Sequence, residues 1–488
     1  MTRQKPVAID LFAGAGGLSE GLHLAGWDVA VAVEKDAHAA DTYDFNHNVR
    51  QNRNTKILRC EIEKIGREHL QTALHESRGI SVNEVDLIAG GPPCQGFSSI
   101  GPRSLNDSRN RMFLEYIRII NIVRPKAFIA ENVKGILSFA KKGMPKLLGQ
   151  IFDRLGYNLS SDVVNSLEFG VPQDRMRVFF YGIRRDVADE LRIPFLSAPA
   201  PCMPDMINMF YKAGQTLTLS EALSDLPDGD AVALESRIWV TSGDIHEKSQ
   251  EHEPYTYPET GQLTGYQQAM RRQSGGIYNS HTKGMSQGRL DKVSLIPEGG
   301  VRASGGRSNA WRRLSWNRHA HTLQAHMGKD LKEFIHPLVD RWITVREAAR
   351  LQSFDDSYVF LGSQRAQLSQ IGNAVPPFVG WAIGRSIGEQ LKLFDTPKLP
   401  LRAPNPLNQL LFPMNDPRDA RWFGLLGYIA RDQQRESQIV WILHHLYDMM
   451  LEMANDSKHS KGQTRKKITQ EISKDSPKAS VQSVLQFD

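Results

Sequence analysis

The sequence predicts an α/β protein whose parallel sheet is covered by helices, and three observations carry that prediction. Short apolar, β-branched runs alternate with helix-period segments through the first 185 residues. A glycine-rich turn joins the first such run to the first helical pattern. Regular patterns fade after Ala198 and return with Val345–Leu351 and the Gly380–Leu393 helix, so the chain leaves its first domain and then comes back to it.

Taken in order, Val7–Phe12, Val29–Val33, Lys56–Arg59, Val85–Ala89, Ala127–Ala130 and Val178–Ile183 read as buried strands, because nearly continuous apolar runs suit a sheet covered on both faces. Residues 1–197 form the first domain. Beyond Ala198, Pro, Gly, Ser and Gln displace long apolar periods, which predicts a smaller, loop-rich module over 198–311. Residues 312–395 return to the first domain. A Pro-rich linker, Thr396 to Pro413, leads into an amphipathic stretch from Arg418 to Met453 that reads as a helical hairpin, linker and extension together spanning 396–456. Residues 457–488 carry seven basic and three acidic side chains and read as a disordered tail.

At 488 residues and 40% hydrophobic content, the chain has room for about three domains with filled cores. Cys60, Cys94 and Cys202 are odd in number and far apart, which excludes a disulfide framework and a paired zinc-ligand pattern and suits a reducing cytosol. The N-terminal residues lack the apolar core of a signal peptide, and no segment approaches a membrane span, so a cytoplasmic protein is expected. The net charge is +6, but between Arg271 and Ala320 ten basic residues face only Asp291 and Glu298, a local balance of +8. A basic, Gly- and Ser-rich stretch of this kind suits a phosphate backbone, whose counterions are released on binding.

The stretch Gly90-Gly91-Pro92-Pro93-Cys94-Gln95-Gly96-Phe97-Ser98 sets one cysteine on a rigid loop directly after a strand. A lone intracellular cysteine is usually a small buried hydrophobe, yet a thiol presented at a strand end, where open α/β sheets bind ligands, is a candidate nucleophile. Asp10 to Gly21 closes the first strand and opens the first helix with Gly14, Gly16 and Gly17. Ser19 stands where a dinucleotide fingerprint would carry its third glycine, so pyrophosphate cradling is less well matched than an uncharged or carboxylate-bearing ligand. Glu34 ends the second strand, about twenty residues on, where an acidic side chain accepts ribose hydroxyls. Together these features suit S-adenosylmethionine.

With Glu131-Asn132-Val133, Gln173-Asp174-Arg175-Met176-Arg177 and Gln370 to Pro377 following in order, the chain resembles the DNA (cytosine-5)-methyltransferases over residues 7 to 395. Five linked blocks in one order are far more specific than any one. The resemblance implies an S-adenosylmethionine-dependent methyltransferase fold, Rossmann-like with a mostly parallel seven-stranded sheet, and a smaller target-recognition domain. It implies Cys94 as the nucleophile that adds to carbon 6 of a flipped cytosine, and Glu131 as the group that hydrogen-bonds or protonates ring nitrogen 3. Arg175 and Arg177 would hold the base's carbonyl oxygen and a nearby phosphate. The cofactor would be held by Phe12, Gly14, Gly16, Gly17, Leu18, Glu34, Ile62, Pro92, Asn373 and Val375. In many relatives a Gly-Asp pair reaches the adenine; here Cys60-Glu61-Ile62 stands in its place, which assigns Glu61 to that contact. Double-stranded DNA is the expected partner, contacted by Gln95, Ser98, Arg109 and Gln173 and, from the recognition module, by Arg289, Arg302 and Arg307. A metal is not required, and a monomer acting on DNA at the bacterial nucleoid, with a restriction-modification role, is the expected setting. A transfer-RNA cytosine methyltransferase and a non-catalytic DNA-binding regulator on the same fold are the alternatives.

Overall fold

The computed structural model describes residues 5–93, 112–137, 143–227, 256–282, 284–304, 307–327, 333–395 and 398–407. The chain enters a sheet with β1 (Val7–Leu11), turns into α1 (Gly17–Ala25), and repeats the unit with β2 (Asp28–Val33), α2 (Ala37–Asp44), β3 (Lys56–Leu58) and α3 (Arg67–Arg78). β4 (Leu87–Gly90), α4 (Met112–Val123), β5 (Ala127–Val133) and α5 (Gly143–Arg154) follow. β6 (Tyr157–Asn165), the short β7 (Gln173–Asp174), β8 (Met176–Arg184) and α6 (Arg185–Leu191) complete the first pass.

The seven strands lie in the order β3-β2-β1-β4-β5-β8-β6. β3, β2, β1, β4 and β5 pair in parallel, while β8 runs antiparallel to both β5 and β6. Successive residues face opposite sides, so on β5 Ala127 and Ile129 enter one core while Phe128 and Ala130 enter the other. Of these strands β6 carries no uninterrupted apolar run. It is an edge strand with polar Asn158, Ser160, Ser161 and Asp162 in its middle, which is why an apolar-run criterion passes over it.

The second pass contributes α7 (Leu219–Leu223), α8 (Gly265–Arg271), α9 (Gln287–Val293), β9 (Val301–Ser304), β10 (Arg307–Arg313), β11 (Ala320–His321), β12 (Glu333–Ile335), α10 (Val345–Leu351), α11 (Gln364–Asn373) and α12 (Pro377–Gln390). A three-stranded sheet, β12-β10-β9, sits on a small apolar cluster of Val293, Ile296, Ile335 and Trp342. The expected boundary at 311/312 therefore falls inside β10, because the strand's partner β12 lies beyond it in sequence. At the other end, Leu219, Leu223 and Tyr266 belong to the large core together with Val345 and Ala349. Fully buried Arg350 fastens this junction by donating to both Asp225 and Asp356.

The expected linker is likewise not free. Residues 398–407 run back along the sheet, bridging Pro199 through Leu401 and Ser160 through Pro406. The helical extension and tail expected after Pro413 lie outside the described residues. Among the described residues, no helix is long and apolar enough to cross a membrane.

Candidate active site

β1 and β4 are parallel neighbours from which the chain continues to opposite sides of the sheet, so a crevice opens beyond their carboxyl ends. Both glycine-rich motifs lie there. Phe12, Gly14 and Gly16 take φ of 58°, 56° and 91°, three left-handed residues within five positions. Phe12 pays for this conformation, a cost concentrated at ligand sites. Gly16 could not be replaced without collision, since a Cβ there would lie 2.5 Å from His47 Nε2 and 2.7 Å from the Tyr358 hydroxyl. A Cβ on Gly17 would lie 2.4 Å from the Val375 carbonyl oxygen, which brings the early turn and the late Asn373–Pro377 block into direct contact.

Glu34 directly follows β2 beside this turn, where its carboxylate accepts from the Gly14 amide at 2.8 Å and the Asp36 amide at 2.7 Å. Burial raises its pKa. A Cβ on Gly14 would meet nothing within 4 Å, so open space adjoins the half-buried carboxylate and the left-handed amides. Those groups fit a ligand that offers ribose hydroxyls and has no phosphate: one acidic acceptor, backbone donors, and no cationic side chain in the turn.

Beneath the turn lies a polar stack that composition did not single out. Ser19 Oγ donates to Asp10 Oδ2 at 2.6 Å, and the Tyr43 hydroxyl donates to Ser19 at 2.8 Å. Burial, reinforced by the nearby Glu34 charge, pushes the Asp10 carboxyl up to about 7. Tyr358 donates to the Ala15 carbonyl and meets His47 at 3.2 Å. Only proximity of Asp10 to the glycines hinted at this role; Tyr43, His47 and Tyr358 gave no sequence signal.

On the other side of the crevice, Glu131 near the end of β5 and Arg177 at the start of β8 form an ion pair of 2.9 Å. Antiparallel register sets Val133 opposite Arg177, which lets the guanidinium reach diagonally to Glu131. A Cβ on Gly91 would lie 3.3 Å from Glu131 Oε2, so the carboxylate abuts the loop that leads to Cys94. Buried Asn132 anchors that loop, donating from Nδ2 to the Pro92 carbonyl at 3.1 Å.

The remaining expected site residues have varied surroundings. Arg175 is buried and donates to the carbonyls of Leu323, Gly372 and Ala374. Burial holds its pKa well below the usual arginine range. It thus fastens the β7–β8 junction to the returning chain. Gln173 is fully buried, donating to the Leu351 carbonyl and Gln352 and accepting from the Leu323 amide at 2.8 Å. Glu61 is exposed and pairs with Lys64 at 3.4 Å, while Ile62 and Leu18 are core residues. Asn373 ends α11 and is exposed. In the basic stretch, Arg289 is exposed and Arg302 lies over the Trp311 ring, its guanidinium 5.7 Å from the centroid. Arg313 is turned inward instead, donating to the Val293, Ile296 and His336 carbonyls. The side chain of Arg307, and all of Cys94, Gln95, Ser98 and Arg109, lie outside the described residues.

A seven-stranded sheet with one antiparallel strand, β8, and a glycine turn at its switch point defines the class: an S-adenosylmethionine-dependent methyltransferase fold. Residues 7–389 match the family model for C-5 cytosine-specific DNA methylases, and the chain belongs to that family. It is 32% identical over 453 residues to the type II methyltransferase M.AgeI of Thalassovita gelatinovora, covering 78% of this chain and 98% of the relative. It is 33% identical over 411 residues to M.XorII of Xanthomonas oryzae pv. oryzae, covering 80% and 86%. Among solved structures, that of a DNA modification methyltransferase encoded within an E. coli prophage aligns with a TM-score of 0.59 and 25% identity, covering 79% of this chain and 99% of that one. Family and fold together imply S-adenosylmethionine as methyl donor and DNA as substrate.

Proposed function

We propose that this enzyme methylates carbon 5 of a cytosine within a specific double-stranded DNA sequence, and that the modification protects DNA from a cognate restriction endonuclease. The observation that supports the site assignment is the Glu131–Arg177 pair beside Gly91, in the segment that leads in sequence to Cys94. The target base is flipped from the helix into the crevice. Carbon 5 of cytosine is a poor nucleophile, so the Cys94 thiolate first forms a bond to carbon 6 and moves an electron pair into the ring. Glu131, oriented by Arg177, hydrogen-bonds ring nitrogen 3 and stabilises that charge. Bound S-adenosylmethionine supplies an electrophilic methyl group on its sulfonium. Once carbon 5 carries the methyl group and the donor has left as a neutral thioether, transfer of the carbon 5 proton to water returns the electron pair that expels the thiolate, and the carbon 6–sulfur bond breaks. Glu34 and the Phe12–Gly17 turn hold the cofactor. Exposed Arg289 and partly buried Arg302, laid over Trp311, support a DNA-facing recognition module.

Expression in a methylation-free host followed by bisulfite sequencing is the test. A single recurrent sequence context with 5-methylcytosine is the expected result; unmodified DNA with methylated transfer RNA would replace the reading with the RNA alternative. Duplexes carrying 5-fluorocytosine should leave a covalent adduct on Cys94, and Cys94→Ser should form none.

A further inference from the structure

The family match ends at residue 389, yet the chain continues into a segment that returns to the catalytic sheet. Residues 398–407 first cross the start of the recognition region, where Ala200 donates to the Pro400 carbonyl at 2.7 Å and the Arg402 amide to the Ala198 carbonyl at 2.9 Å. They then pair with the open edge of β6, through Ser161 N to Asn405 O at 3.0 Å and Leu407 N to Leu159 O at 2.8 Å. Leu407 is buried in the core behind that edge. Pro406 stands between these bonds with no amide proton of its own, so the strap covers the edge without offering a new one.

Arg402 does more than cover. Its guanidinium lies 3.2 Å from Asp162 Oδ2 and 2.5 Å from Glu168 Oε2, and it also donates to the Val163 carbonyl. Glu168 in turn accepts from the Asn165 amide at 3.1 Å. Asn165 Oδ1 accepts from the Arg175 amide at 3.2 Å, and its Nδ2 donates to Asp174 Oδ1 at 2.7 Å. Two residues further on is Arg177, bound to Glu131.

Resting on the methyltransferase reading above, we infer that the 398–407 strap is a positioning element of the catalytic core. Arg402, acting through Glu168 and Asn165, sets the backbone from which Arg177 reaches Glu131. Arg402 touches no substrate; it holds the strand that does. Displacing a catalytic group by about 1 Å costs on the order of a hundredfold in rate, and loosening a relay of three links should cost a fraction of that.

The test uses the full chain carrying Arg402→Gln, Arg402→Lys, Glu168→Gln or the Arg402→Gln/Glu168→Gln pair. Turnover at saturating DNA and cofactor, the cofactor dissociation constant and the melting temperature are measured together. We expect Arg402→Gln and Glu168→Gln each to lower kcat about tenfold with cofactor affinity within about twofold, Arg402→Lys to recover part of the loss, and the pair to be no worse than the poorer single variant. Unchanged kcat, or a kcat loss matched by equal losses of cofactor affinity and melting temperature, would overturn the inference. Because the comparison is with the wild type, a wild type that transfers no methyl group instead overturns the underlying reading, and this inference with it.

Discussion

Arg177 Nε lies 2.9 Å from Glu131 Oε1, joining the start of β8 to the end of β5 across an antiparallel pair, with both side chains largely shielded from solvent. An arginine so placed orients the carboxylate, and its own direction is fixed in turn by Nη1 donating to the Met176 carbonyl at 2.8 Å. Arg177→Ala is expected to lower kcat by about a hundredfold, and Glu131→Gln by about 10² to 10⁴, the usual range for a positioned acid–base group. Arg177→Lys should fall between wild type and alanine, since an ammonium keeps the charge but loses the planar fork. Steady-state turnover on saturating unmethylated DNA decides this; equal activity of wild type and Arg177→Ala would remove the pair from the mechanism.

Asp10 predicts a dependence of stability on pH. Its folded-state pKa of about 7 stands above the ordinary 3.8, so the native protein holds an extra proton between those values. Stability from this group is therefore full below about pH 4, falls as pH rises through the window, and levels off above about 7. Asp10→Asn removes the titration. Its stability relative to wild type should improve by a few kcal/mol, on the order of 1.4 kcal/mol per pKa unit, between pH 4 and pH 8. Urea unfolding at both pH values measures the difference, and a gap that does not change with pH would refute the assignment.

The glycine turn separates crowding from backbone strain. Gly17→Ala places a Cβ 2.4 Å from the Val375 carbonyl oxygen, a backbone atom that cannot rotate aside, whereas Gly14→Ala meets open space but must hold φ at 56°. The first should cost about 1–3 kcal/mol from overpacking and shift the late cofactor block, the second roughly 1–2 kcal/mol from the left-handed backbone alone. Calorimetric titration with S-adenosylmethionine should accordingly show the greater loss of affinity in Gly17→Ala.

Gln173 offers a check on an expected DNA contact. Truncation leaves the Leu323 amide and the Leu351 carbonyl without their partner, so Gln173→Ala should lower stability by about 1–3 kcal/mol. DNA affinity at fixed salt should stay within about twofold of wild type, because a side chain buried in the core makes no DNA contact to lose. A marked loss of DNA affinity with unchanged melting temperature would return Gln173 to the DNA interface.

Much of the catalytic sheet was legible because local periodicity reports burial. Six of the seven strands lie where apolar runs place them, and β6 escaped because an edge strand tolerates mid-strand polar side chains while its backbone edge is covered by a distant segment. The Gly14–Gly17 turn was legible for a similar reason: glycines between a strand and a helix report a local need for left-handed backbone. Asp10, Tyr43, His47 and Tyr358 were not, since their contacts span up to 343 residues.

What the sequence by itself determined is therefore the residue chemistry at strand ends: glycines after β1, the Gly-Pro-Pro loop after β4, a glutamate at the end of β5 and arginines at the start of β8. Tertiary structure alone decided which of those groups face the crevice. Arg175 and Arg177 share a motif and a spacing, yet the first falls at the break between β7 and β8 and is consumed by carbonyls of the returning chain, while the second enters the antiparallel ladder opposite Val133 and reaches Glu131. Spacing along one strand fixes only relative direction; which side becomes interior depends on segments more than a hundred residues away that come to lie against it.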